Sequence, residues 1–273
     1  MQLAFSTNAF KRCSLEQAVE TIGAIGYAGV EIMADVPHAY PPHMPGERVA
    51  ALHELLTKSR LAVSNVNAFT LFAVGDTYHP TWLENDPAQR RIRIDHTRNC
   101  IPLAAAIGAK TISLQPGGPL EGPRADALKL YADGLRELLP AAQKANITLM
   151  VEPEPGLLIE HSYECIEFLN QVSHPNLKMN CDLGHFYCVN EDPAAVLRQC
   201  APYIAHVHLE DIRENRVHQH LQPGLGAMDF PAIFAALNDI HYAGWVTVEL
   251  YPYESTAEQV AQAAFSYLQP FMK

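Results

Sequence analysis

Four side chains in the second half of the chain combine types and positions suited to chemistry on a bound cation. Glu152 closes the run ITLMVE, Asp182 closes LKMNCD, His208 stands near the end of IAHVHL, and Glu249 near the end of WVTVEL. Strand interiors disfavour carboxylates, whereas a strand's end can aim one into a site. Two glutamates, one aspartate and one histidine make a mixed oxygen and nitrogen donor set for a divalent metal ion, with Mn²⁺ favoured and Mg²⁺, Co²⁺ or Zn²⁺ also suited. Three acids packed together repel, and a dication is the simplest way for all of them to stay ionised. Any one of these residues alone would be read as a surface acid or an ion-pair partner; the expectation rests on the set.

For the four to meet, the chain must bring four strand ends to one place. Short apolar or β-branched runs alternate with stretches of helical period from end to end, and predict strands at 3–7, 29–33, 61–66, 111–115, 147–152, 177–182, 204–209 and 245–250. Between them lie helix signals. SLEQ at 14–17 fits a capping box, Asp192 before Pro193 fits an N-cap before an N1 proline, and Gly26 and Gly108 are placed to end helices in a left-handed conformation. Eight such units over 273 residues predict a (β/α)8 TIM barrel, an α/β fold of one domain spanning residues 1–273. In that fold the C-terminal ends of the strands converge on one mouth. Residues 67–87 are too long for an ordinary connection and rich in aromatics, so they are expected to form a lid over that mouth, with a surface excursion or subunit contact as the alternative.

Composition removes several function classes. A formal charge of −11 with no basic stripe argues against nucleic acid as a partner. No apolar run approaches the roughly 18 residues of a membrane span, and the start MQLAFSTNAFKRC lacks the pattern of a secretory signal. Six cysteines without a CxxC pair suit a reduced protein, so a cytoplasmic location is expected.

The motifs GYAGVEI (26–32), LMVEP (149–153), DLGH (182–185), HVHLED (206–211), PGLGAMDF (223–230) and VTVE (246–249) are each weak alone. In this order and spacing the chain resembles the xylose isomerase-like barrel superfamily, particularly its sugar isomerase and epimerase branch, such as the ketose 3-epimerases. The resemblance implies that Glu152, Asp182, His208 and Glu249 ligate the metal, that Glu152 and Glu249 also form the acid/base pair, and that His185 contacts the substrate. It further implies an isomerase or epimerase of a keto sugar or related polyol, acting through a cis-enediolate, and a homodimer or homotetramer. A metal that polarises a carbonyl acidifies the neighbouring C–H, and a carboxylate can then remove that proton. The same enediolate can instead expel a β-hydroxyl, so a dehydratase or lyase acting on a keto sugar or keto-cyclitol is the alternative. A catalytically inactive sugar-binding barrel is the reading from a different class. The apurinic endonuclease branch is disfavoured by the acidic balance.

Further residues are candidates for the substrate pocket. The epimerases place an arginine shortly after the strand-seven histidine, and Arg213 is preferred here over Arg216. His218 and His220, two apart, face one site if their segment is extended, as substrate ligands or a second metal pair; the alternative is a pair of surface loop histidines. Asn67, Gln115 and Glu154 follow strand ends, Glu31 lies on strand two, and Tyr78 and Trp82 of the lid are expected over a sugar's apolar face or in a structural cluster. Parity places Asn180, His206 and Thr247 one inward layer below Asp182, His208 and Glu249, where they are expected to include hydrogen-bond partners of the ligands. No Gly-rich phosphate loop is evident, which disfavours a phosphorylated substrate.

Overall fold

Each of the eight runs forms a strand, and the strands close on one another in sequence order. The computed structural model describes residues 1–272: β1 Gln2–Ser6, β2 Gly29–Met33, β3 Ala62–Asn67, β4 Thr111–Leu114, β5 Thr148–Val151, β6 Leu177–Asp182, β7 Ile204–Leu209 and β8 Trp245–Val248. All neighbours pair in parallel, and β1 pairs with β8 through Leu3 beside Val246, so the sheet is a closed barrel. The expected bounds agree to within two residues at every strand end. Helices fill the connections because a parallel pair needs a long crossover, and the helix covers the apolar outer face of the sheet.

The local signals operate as expected. Ser14 and Gln17 form a reciprocal capping box, and Asp192 accepts from the backbone N–H groups of Ala194 and Ala195 ahead of Pro193. Gly26 and Gly108 end their helices at φ of 111° and 86°.

The outer layer, between sheet and helices, is the apolar core, with Phe5, Ile22, Leu135, Tyr131 and Phe168 fully enclosed. The barrel's interior is polar instead of filled with branched apolar side chains. Asn65 donates to Glu31 at 2.8 Å and to Ser113 at 2.9 Å, Ser64 and Thr247 share a hydrogen bond at 3.1 Å, and Asn180, His206 and His208 are all buried. Pairing registers shift at Val30/Glu31 and at Met179/Asn180. Such irregularities re-aim side chains, and both lie beside the polar interior.

The 67–87 stretch has no helix or strand beyond Asn67 until the helix Pro87–Ile107, whose N-cap is Asp86. Two buried charged residues fix it. The Asp35 carboxylate accepts from the Thr70 hydroxyl and from the backbone N–H groups of Phe72 and Ala73. The Arg93 guanidinium donates to the carbonyls of Pro80 at 2.7 Å, Phe69 at 2.8 Å and Ala68 at 3.3 Å. The segment is an ordered covering.

Candidate active site

The turn after β6 explains the DLGH motif. Asp182 ends the strand and caps the short helix Leu183–Cys188, its Oδ1 accepting from the His185 N–H at 2.9 Å. Its Oδ2 is buried and has no hydrogen-bond partner among the described residues. Gly184 is needed because a Cβ there would lie 1.7 Å from the Glu210 carboxylate.

Glu152, Asp182, His208 and Glu249 come together, each offering a ligand atom so that all four lie within 4.8 Å of one another. His208 is the pivot. Its Nε2 is 2.6 Å from Glu31 Oε2, and its Nδ1 is 3.0 Å from Glu152 Oε1, 3.7 Å from Asp182 Oδ2 and 3.9 Å from Glu249 Oε1. A ring that gives its Nε2 proton to Glu31 turns an Nδ1 lone pair toward three acids, with the Asn180 amide at 3.2 Å as its one neutral donor, an arrangement that a proton or a cation relieves. Burial alone would lower the His208 pKa, but Glu31 and Glu152 hold it well above the usual value. Glu249 is pushed up by burial and by its neighbouring acids. The donor set, its burial and the unpartnered oxygens Asp182 Oδ2 and Glu152 Oε2 fit a divalent ion.

The cluster opens into a cavity of about 270 Å³ whose lining includes Asn8, Asn67, Glu152, Glu154, His185, His218, Glu249 and Tyr251, with Phe69, Phe72 and Tyr78 of the lid above. A larger groove of about 920 Å³, bordered by Val49, His53 and Pro102, lies on the outer helices and holds none of these groups. Glu154, pushed up to about 7 by burial, is 3.2 Å from His185 Nε2 and accepts from the Tyr78 hydroxyl at 3.3 Å. Burial disfavours charge on His185, yet Asp182 and Glu154 raise it to about 9. His218 and His220 stand side by side, Nε2 to Nε2 at 3.2 Å. Asn180 approaches His208 Nδ1 at 3.2 Å, and His206 points inward, 3.7 Å from Glu31. Thr247 bonds Ser64 rather than any of the four donors.

Three candidates lie elsewhere. Trp82 is buried in the outer layer, 5.3 Å from the Tyr131 ring and against Gly134, because the lid's end turns down between helices instead of over the cavity. Gln115 supports the lid from beneath, its Nε2 donating to the Tyr78 carbonyl at 3.0 Å, and does not line the cavity. Arg213 is exposed: the antiparallel bridge between Asp211 and Leu221 returns His218 and His220 to the mouth and leaves the tip of the loop in solvent. Arg216 lies over the Tyr187 ring at 3.9 Å.

Sequence reasoning missed Asn8, which donates to Glu249 Oε1 at 2.8 Å, and Tyr251. Both follow strand ends, the signal that found Asn67 and Glu154. It also missed Lys11 at the rim, which pairs with Glu254 at 2.8 Å.

Comparison with known proteins identifies the family and agrees with the barrel fold. The model of the xylose isomerase-like TIM barrel family matches residues 19–271. The chain belongs to that family. An inosose dehydratase of Clostridium beijerinckii is 29% identical over 137 residues, 44% of this chain and 46% of that protein, so the match spans about half of the relative. A fructoselysine 3-epimerase of Shigella flexneri is 24% identical over 255 residues, covering 92% of this chain and 90% of that one. Among solved structures, the IOLI protein with a binding zinc atom superposes with a TM-score of 0.83 at 20% identity, over 99% of this chain and 98% of that one. The curated relatives are enzymes, and no helix among the described residues is long and apolar enough to cross a membrane.

Proposed function

We propose that the protein is a divalent-metal-dependent isomerase or epimerase of a keto sugar or related polyol. The observation that carries this reading is the meeting of Glu152, Asp182, His208 and Glu249 at the floor of a cavity, with two of the acids exposed to it. A divalent ion held by the four, Mn²⁺ by preference, would polarise a substrate carbonyl and acidify the adjacent C–H. Glu152, with an unpartnered Oε2, and Glu249, oriented by Asn8 and Asn67, are the groups that take and return the proton. Return to the same carbon from the opposite face inverts it, and return to the neighbouring carbon isomerises the sugar. His185, Glu154 and Tyr78 offer hydrogen bonds to hydroxyls, and Phe69 and Phe72 exclude water above them.

The second reading is a dehydratase of a keto-cyclitol, favoured by the similarity to an inosose dehydratase. In that case one of the carboxylic acids protonates a departing β-hydroxyl. The reaction belongs in the reduced cytoplasm on this reading, since all six cysteines are free.

Incubation with a panel of keto sugars and inososes in D2O tests the proposal. Deuterium entering next to the carbonyl without loss of water supports an isomerase or epimerase, and loss of water supports the dehydratase. Glu152→Gln should slow exchange by about 10² to 10⁴. Absence of exchange across the panel with Mn²⁺, Mg²⁺, Co²⁺ or Zn²⁺ present would sink it.

A further inference from the structure

Asn67 ends β3 and lines the cavity, where a substrate ligand would be expected, yet its side-chain amide is already engaged by the protein. Its Oδ1 accepts from the Phe69 N–H at 3.0 Å. A backbone N–H only donates, which fixes the oxygen on that side and turns Nδ2 to the other. Nδ2 donates to Glu249 Oε1 at 3.1 Å and to Glu31 Oε1 at 3.2 Å. Both of its N–H bonds are then spent, and neither is left for a substrate oxygen. We infer that Asn67 is a positioning residue, holding Glu249 and the first turn of the lid in one arrangement through a single amide, and not a substrate ligand. The inference rests on the reading of Glu249 as a proton-transfer group.

The base of this clamp is rigid. Asn67 pairs in register with Met33 of β2 and Ser113 of β4, and its carbonyl accepts from the Ala34 N–H at 2.8 Å. The next residue, Ala68, donates to the Ser113 carbonyl at 3.0 Å. With the backbone pinned on both sides, the side chain turns only about its own torsions, and its hydrogen bonds fix those.

Glu249 needs such a hold. It lies just past β8, buried, with the carboxylates of Glu152, Glu31 and Asp182 acting on it. Like charges drive a flexible carboxylate away from its neighbours and toward the open cavity. Asn67 and Asn8 oppose that movement by donating to the same oxygen, Oε1, with Asn8 reaching it at 2.8 Å from the turn after β1. An oxygen accepts two such bonds whether the carboxyl is ionised or carries a proton on its other oxygen, so the clamp persists as a proton comes and goes. The amide that holds Glu249 also holds Glu31, whose Oε2 faces His208 Nε2 at 2.6 Å. One side chain thus joins a proton-transfer group, the support of the histidine, and the backbone that carries Phe69 over the cavity.

Three variants separate these roles. Asn67→Ser keeps an oxygen for the N–H two residues on but is too short to reach Glu249. Asn67→Ala keeps neither contact, and Asn8→Ala removes the other half of the clamp without touching the lid. In the deuterium-exchange assay, Asn67→Ser is expected to lower kcat by about 10- to 100-fold with KM little changed, and Asn8→Ala to lower kcat as well. Metal-free crystals of Asn67→Ser should show the Glu249 carboxylate turned from its wild-type position. Hydrogen-exchange protection of the Phe69 amide should persist in Asn67→Ser and be lost in Asn67→Ala. A raised KM with kcat retained in Asn67→Ser would make Asn67 a substrate ligand and overturn the inference. A Glu249 carboxylate that stays in place, or a Phe69 amide as protected in Asn67→Ala as in the wild type, would overturn it equally. Should Asn67→Ser not fold, Asn67→Asp, which has the same shape and an acceptor for Phe69 but no donor, takes its place with the same expectations. If the wild type exchanges no substrate of the panel, the proposed function fails, and the crystals and the amide protection still decide the clamp.

Discussion

His208 is committed on both of its edges. Glu31 accepts from Nε2, and the opposite nitrogen faces Glu152 and Asp182. Glu31 is itself held by the amides of Asn65 at 2.8 Å and Asn67 at 3.2 Å, so the ring's orientation depends on residues from β2 and β3. Glu31→Gln would set a second amide donor against those of Asn65 and Asn67 and remove the charge behind the ring. A loss of about 10- to 100-fold in metal affinity is expected, measurable by calorimetry, with the secondary structure intact. Unchanged affinity would mean that Glu31 serves the barrel's packing alone. Sequence parity placed Asn180 and His206 in this layer, but it could not select Glu31 as the partner of His208. These residues are 177 apart in sequence and meet only across the closed barrel.

At the scale of elements, the lid is held by charge rather than by regular structure. Arg93 is fully buried with the carbonyls of Ala68, Phe69 and Pro80 as its hydrogen-bond partners, and Asp35 anchors Thr70, Phe72 and Ala73 between them. Each carbonyl left unpaired in a buried position costs about 1–3 kcal/mol. Arg93→Met should therefore lower the melting temperature and open residues 68–86 to limited proteolysis and faster hydrogen exchange, while strands and helices keep their protection. It should also raise KM, because Phe69 and Tyr78 line the cavity from this segment. Equal loosening of barrel and lid would argue against a lid with its own anchor. The lid's existence was legible from length and aromatic content. Its path was not, because Arg93 and Asp35 set it from outside the segment, and so Trp82 fell into the outer layer.

For the whole molecule, buried neutral histidines remote from the four-donor cluster tie stability to pH. His38 is lowered to about 4 and His96 to about 3, in both cases chiefly by burial. A folded-state pKa below the unfolded value near 6.5 means that the unfolded chain takes up the proton first. Stability is then full above about pH 6.5 and falls as the pH drops toward 4, each histidine contributing a slope of about 1.4 kcal/mol per pH unit inside that window. His38→Gln should flatten the slope by about one proton in denaturation curves taken at pH 6.5, 5.5 and 4.5. An unchanged slope would show that His38 titrates alike in both states.

The sequence by itself determined the eight strands, the helix caps and the four strand-end side chains that meet at the mouth. Those features depend on short-range rules: the two-residue alternation of a strand, the chemistry of a helix terminus, and the clustering of strand ends that closure of a parallel barrel enforces. Tertiary structure decided the rest. It turned Arg213 outward and His218 and His220 inward through the bridge between Asp211 and Leu221, put Gln115 beneath the lid, and brought Asn8, just after β1, to Glu249 beyond β8. Loop side chains have no fixed period. Their direction is set by whichever distant donor or acceptor satisfies the backbone around them, and that partner is known only once the barrel has closed.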